Sequence, residues 1–153
     1  MVEAAKRAQA EDISAAQAVE QIQDWLDHVK ILFTLYDLKF ARKSGRVSAA
    51  AAIMGGAMGI RPIMSFPNGD SKVLAKPRGD KNVIPAMMKM MQEDMEPGSP
   101  YLVIHASLPE HNEEISKACR ETLGYPPAEE FLIGGVISIN AGPSVVGVIY
   151  RTK

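Results

Sequence analysis

The sequence holds a single cysteine, Cys119, in 153 residues, which excludes an internal disulfide and fits a reducing compartment. There is no CxxC and no paired-histidine spacing, so neither a metal nor a cofactor is expected. Charge of one sign is lacking as well: 17 Lys+Arg face 18 Asp+Glu for a net −1. No global field then draws the chain to nucleic acid or an anionic membrane, and any anion recognition has to be local. Long apolar runs are missing too, none approaching the ~20 residues that a membrane helix needs, so no membrane insertion is expected. The first residues, "MVEAAKRAQAEDIS", lack the apolar stretch of a secretory signal and read as ordinary chain. These absences give the expectation of a cytoplasmic protein, and its length that of one domain over residues 1–153.

What is present is periodicity. Ile13, Ala16, Val19, Ile22, Trp25, Leu26 and Val29 recur at spacings of three and four, the pattern of a helix burying one stripe, with Trp25 as a core anchor. "KILFTLY" is too short for a stable helix and reads as a buried strand. "DLKFARKSG" starts at a capping aspartate, Asp37, and stops at Gly45; a second helix start lies at Ser48, before "AAAAIMGGAMG". "IRPIMSFPNGDSKVLAKPRG" is expected to form two strands around the turn Pro67 to Asp70. From Asn82 to Met95, Val83, Met87, Met91 and Met95 repeat every four residues, a helix that tolerates Pro85 only near its first turn. "YLVIHAS" reads as a strand covered on both faces, and "PEHNEEISKACRETLG" as a helix whose charges match its dipole. "EEFLIGGVISIN" and "SVVGVIYR" are expected as strand, tight bend and strand. Helices alternating with strands and hairpins imply an α/β domain with a mixed sheet.

Lys39, Arg42, Lys43 and Arg46 are spaced so that they would share one helical face. If Gly45 breaks the helix, Arg46 lies beside the helix start at Ser48, whose unpaired N–H groups attract anions. The run Ala49 to Ala52 and Gly55, Gly56 and Gly59 would let a thin ligand or another backbone come close. A solvated basic face and a tightly packed helix explain the same residues. The methionine helix reads as core or as an adaptable lipid-lining surface. Cys119 is expected as a small buried hydrophobe, His105 as a structural histidine at a strand end, and His28 and His111 as solvated. "MGGAMG" lacks the Gly-Lys-Ser/Thr ending of a phosphate loop.

"DLKFARKSGRVSAAAAIMGGAMGIRPI", "KPRG" at Lys76 to Gly79, "VIHASLPE" at Val103 to Glu110 and "IGGVISINAGPSVVGVIY" at Ile133 to Tyr150, taken in order, resemble segments of the DegV family of bacterial fatty-acid-binding proteins. The resemblance covers most of the chain. It implies the C-terminal domain of a two-domain protein, the N-terminal domain being absent. The expected fold is then two layers, helices packed on a mixed, largely antiparallel sheet of about six strands. The implied function is that of a carrier and not an enzyme: a lipid-binding module contributing part of an interdomain site for a long-chain fatty acid, which it presents to a separate fatty-acid kinase. Arg46 and Arg78 match family arginines associated with the lipid headgroup or with kinase docking. Asn140 and Ala141 stand where the family has histidine and threonine, so a titrating headgroup contact there is lost. Acyl-wall candidates are Ser48, Ala52, Ile53, Gly56 and Ile137. Alone, the domain is expected to bind acid weakly or not at all, and to self-associate through exposed apolar surface. The alternative is a small-molecule enzyme clamping a carboxylate or phosphate with Arg46 and Arg78 and using His105 as acid or base. A third reading is an interaction domain docked through Lys39, Arg42 and Lys43.

Overall fold

Ser14 opens the helix that follows it because its hydroxyl accepts the Gln17 N–H at 3.3 Å while Gln17 Oε1 accepts the Ser14 N–H at 3.0 Å, satisfying donors that a helix start leaves unpaired. The computed structural model describes residues 6, 9–10, 13–45, 59–107 and 109–153. Helix α1 spans Ala15–His28 and runs directly into strand β1, Val29–Leu35. The Lys39 N–H reaches Asp37 Oδ1 at 2.9 Å as the chain enters helix α2, Lys39–Ser44, which ends at Gly45 with φ +65°. Strands β2, Ile63–Ser65, and β3, Lys72–Ala75, flank a 3-10 turn at Pro67–Gly69, so the hairpin expected from the Pro-Asn-Gly-Asp signal forms. Helix α3, Val83–Asp94, carries Pro85 in its first turn, where a missing N–H costs nothing. Strand β4, Tyr101–His105, helix α4, Pro109–Leu123, strand β5, Glu129–Leu132, helix α5, Gly135–Ala141, and strand β6, Val145–Arg151, complete the described chain.

The six strands form one sheet in the order β3-β2-β1-β6-β4-β5. β1 pairs antiparallel with β6 along its whole length, Val29 opposite Arg151 to Leu35 opposite Val145. Only β4 and β5 are parallel. The architecture is therefore the expected α/β arrangement on a mixed, largely antiparallel sheet.

One face of this sheet is closed. The methionine stripe of α3, Met87 and Met91, and Ile115 and Cys119 of α4 pack on Leu32, Val103, Val148 and Tyr101. Buried Tyr101 and Tyr150 and half-buried Tyr125 have partners, Tyr101 donating to the Tyr125 carbonyl at 2.8 Å, Tyr125 to the Ser99 carbonyl at 2.9 Å and Tyr150 to Asp94 Oδ1 at 2.6 Å, whereas the buried Tyr36 hydroxyl has none among the described residues. Lys30 completes the Tyr150 group by pairing with Asp94. Burial pushes the Cys119 thiol up to about 12, with Glu130 adding to the effect, as expected for an inert, buried sulfur.

Four expectations fail. "GGVISIN" is helix, not strand, and β5 and β6 are not neighbours: β5 lies at the sheet edge beside β4, while β6 runs between β1 and β4. The Gly134-Gly135 pair lets the chain leave β5, and Ser138 Oγ donates back to the Gly134 carbonyl at 3.2 Å. The β-branched residues then ride on a helix with their side chains outward, Val136 81% and Ile139 77% exposed; tertiary position overrides propensity. Trp25 is no core anchor, because no residue of α1 is buried and Val19 is 65% exposed. Its ring lies 5.5 Å from the Arg151 guanidinium, which also pairs with Asp24 and Glu96, each at 2.8 Å. The strand "YLVIH" is closed on one face only: Tyr101 and Val103 are buried, Leu102 and Ile104 half-buried. His111 is packed and not solvated, its ring stacked on Tyr36 at 3.6 Å.

Candidate functional site

The alternation of β1 divides its side chains between two environments. Leu32 goes to the face covered by α3 and α4, whereas Ile31, Phe33 and Leu35 point to the other. There the short helices α2 and α5 pack on one another and, among the described residues, cover part of the sheet. Gly142 permits this packing: its φ is +87°, and a Cβ on it would lie 2.6 Å from the Phe40 ring. Ser44 of α2 ties the pair together by donating to the Asn140 carbonyl at 3.4 Å.

The uncovered part is an apolar trough of about 450 Å³, within the ~300–1,000 Å³ of ligand pockets. Ile31, Phe33, Leu35, Ile104 and Val145 from the sheet line it, with Phe66 and Gly69 on one flank and Ile133, Val136, Ile137, Asn140 and Ala141 on the other. No ionisable side chain is among them, and Asn140 carries the only polar side chain. Phe33 stacks on Phe66 with centroids 4.8 Å apart. Gly147 makes room for that stack, since a Cβ there would stand 2.5 Å from the Leu32 carbonyl oxygen and 2.8 Å from Phe33 Cβ.

The residues singled out in the sequence fall unevenly around this trough. Ile137, Asn140 and Ala141 line it. The Asn140 amide donates to the Val136 carbonyl at 2.7 Å, which uses one of its two N–H donors within α5. Arg78 lies past the end of β3, where its backbone bridges to Ile60. Its carbonyl accepts from Asn82 Nδ2 at 2.7 Å, and its exposed side chain has no ion-pair partner among the described residues. Lys39, Arg42 and Lys43 are exposed on α2. Arg46, Ser48, Ala52, Ile53 and Gly56, with the helix start expected at Ser48, lie outside the described residues.

No hydrogen bond or ion pair joins Arg78 to His105 among the described residues: the Arg78 carbonyl accepts from Asn82, and the His105 ring lies 3.3 Å from the Ala106 carbonyl. β2, β1 and β6 stand between β3, which Arg78 follows, and β4, which His105 ends. Among the described residues no group of three or more His, Cys, Asp or Glu is placed to hold a metal ion. None of the described helices is long and apolar enough to cross a membrane.

Sequence reasoning missed most of the lining. Ile31 and Phe33 carried a usable signal: "KILFTLY" is apolar at both odd and even positions, which in a two-layer domain leaves one apolar set without helices over it. Phe66 carried none, because an aromatic before a turn is ordinary.

Comparison with known proteins places this arrangement. The Fatty Acid Kinase (Fak) B3 protein of Streptococcus pneumoniae, loaded with linoleic acid, has a similar fold at a TM-score of 0.84; it is 22% identical, and the match covers 99% of this chain and 54% of that one. A fatty acid-binding protein of Thermotoga maritima is 31% identical over 122 residues, 77% of this chain and 42% of its own. Protein DegV of Bacillus subtilis is 28% identical over 145 residues, 92% of this chain and 50% of its own. The chain thus spans about half the length of the curated relatives it matches. The family model described as "Uncharacterised protein, DegV family" matches residues 1–153, and the chain belongs to the DegV family.

Proposed function

We propose that this chain is the C-terminal domain of a two-domain fatty-acid carrier and supplies one wall of a site that a long-chain acid occupies between the domains. The observation that carries the reading is the trough of about 450 Å³ in which Asn140 has the only polar side chain among the described lining residues. Such a lining, apolar in all its described residues but Asn140, suits a hydrocarbon. Relatives named for fatty-acid binding, or holding linoleic acid, support the same ligand class.

The energetics favour the tail over the head. Burying each methylene gives about 0.8 kcal/mol, so about fifteen carbons give up to roughly 12 kcal/mol of gross transfer free energy. An exposed ion pair gives about 1 kcal/mol at most. The tail therefore sets affinity, while Arg46 and Arg78 orient the carboxylate or dock the kinase that receives it. The protein performs no chemistry itself and works in the cytoplasm. With the trough open on one side, the isolated chain retains acid weakly and self-associates through the exposed wall.

Native mass spectrometry tests this. The full-length protein should carry one long-chain acid per molecule and the isolated chain little or none. A stoichiometric acid on the isolated chain would contradict the shared site, and none on either would end the carrier reading.

A further inference from the structure

We infer that Phe66 is the stop that sets the length of acyl chain the trough accepts, a conclusion that rests on the carrier reading. Along β1 the trough runs from Leu35, beside Asn140 and Ala141, toward Ile31 and Phe66. A second cavity of about 660 Å³ lies at the Ile31 end, and Ile31 and Phe66 line both. Its character is different: Asp27, His28, Lys72 and Thr152 contribute to it. Phe66 is thus the aromatic partition between an apolar compartment and a charged one.

The partition is held in place. The Phe66 ring stacks on Phe33 at 4.8 Å and 17°, and Phe33 sits where Gly147 leaves room for it. The 3-10 turn immediately after Phe66 closes through Gly69 N–H to the Phe66 carbonyl at 3.4 Å and Asp70 N–H to the Pro67 carbonyl at 3.1 Å. Even so, the ring stays 42% exposed, a large apolar surface facing ligand space and not the core.

This placement determines how affinity depends on tail length. Each methylene laid along the apolar trough tightens binding about fourfold. A methyl end pushed past Phe66 enters a lining whose charged groups must shed water without new hydrogen bonds, which cancels the gain. Affinity should therefore climb with length and then level off, at the acid whose end meets the ring.

Two substitutions of opposite sign test the stop in the full-length protein, using competition among saturated straight-chain acids graded in length. Phe66→Ala should move the plateau to longer acids by roughly two methylenes, raising the long-to-short affinity ratio about fifteenfold. Phe66→Trp, which keeps an aromatic stack and so protects folding, should move it to shorter acids. If acids bind but both variants keep the wild-type length profile, the stop is overturned while the carrier reading stands. If no acid of any length binds, both fall.

Discussion

The two faces of one sheet are built from the same strands and are buried to different extents. On the closed face, Leu32, Val103, Val148 and Tyr101 meet the methionine stripe of α3 and the apolar side of α4, and all four are fully buried. On the open face, Ile31 and Ile104 remain half-buried, and α2 and α5 cover only the end of the sheet near Leu35 and Val145. Their composition is not what separates them, since both are apolar. The difference, among the described residues, is what lies over them: helices of twelve and fifteen residues on one side, of six and seven on the other. Where the open face stays part-exposed among the described residues, at Ile31, Ile104 and Phe66, it forgoes the free energy that full burial would give, which is the ground for proposing the acid there.

The comparison breaks most sharply at Met91. Met91→Ala, in the fully buried stripe of α3, should cost about 2–5 kcal/mol of stability, measured by urea denaturation. High pH sharpens the contrast next, because the closed face holds titratable groups and the described lining of the trough holds none. The Cys119 thiol is raised from 9.0 to about 12 and the Tyr36 hydroxyl from 10.0 to about 12, both chiefly by burial. Between those limits the unfolded chain has released protons that the folded chain keeps, so stability falls as pH rises from 9 toward 12. Each such group contributes up to about 1.4 kcal/mol per pH unit. Melting temperature against pH reads this loss, and Cys119→Ala should delay its onset to about pH 10.

Gly147→Ala comes third. The added Cβ meets the Leu32 carbonyl and Phe33, an overpacking worth about 1–3 kcal/mol that should also disturb the Phe33–Phe66 stack, visible as shifted aromatic resonances. Smallest in stability is Ile137→Ser on the trough wall, at 55% exposure. It should change unfolding free energy by no more than about 0.5 kcal/mol while lowering acid retention in the full-length protein, a separation that no closed-face substitution should give.

Legibility in the sequence followed the same divide. The closed face could be read because its helices have partners: Val83, Met87, Met91 and Met95 repeat every four residues and all are buried. The hairpin was legible from turn chemistry at Pro67 to Asp70. Where an apolar residue faces outward, the same rules misled. Trp25 and Val19 follow helical spacing yet bury nothing fully, and Val136, Ile137 and Ile139 look like a strand because they are β-branched. Burial patterns encode what a chain packs against, including partners outside it, and periodicity cannot tell an internal partner from an external one. The family motifs located one end of the trough at Asn140 and Ala141, while its floor of Ile31 and Phe33 and its flank at Phe66 emerged only from the fold.

Photolabelling tests the central claim most directly. A long-chain acid carrying a diazirine near its methyl end, irradiated on the full-length protein and mapped by peptide mass spectrometry, should mark Ile31, Phe33, Phe66 and Ile104. Labels confined to Met87, Met91 and Ile115, or scattered over both faces alike, would contradict the assignment of the open face to the acid.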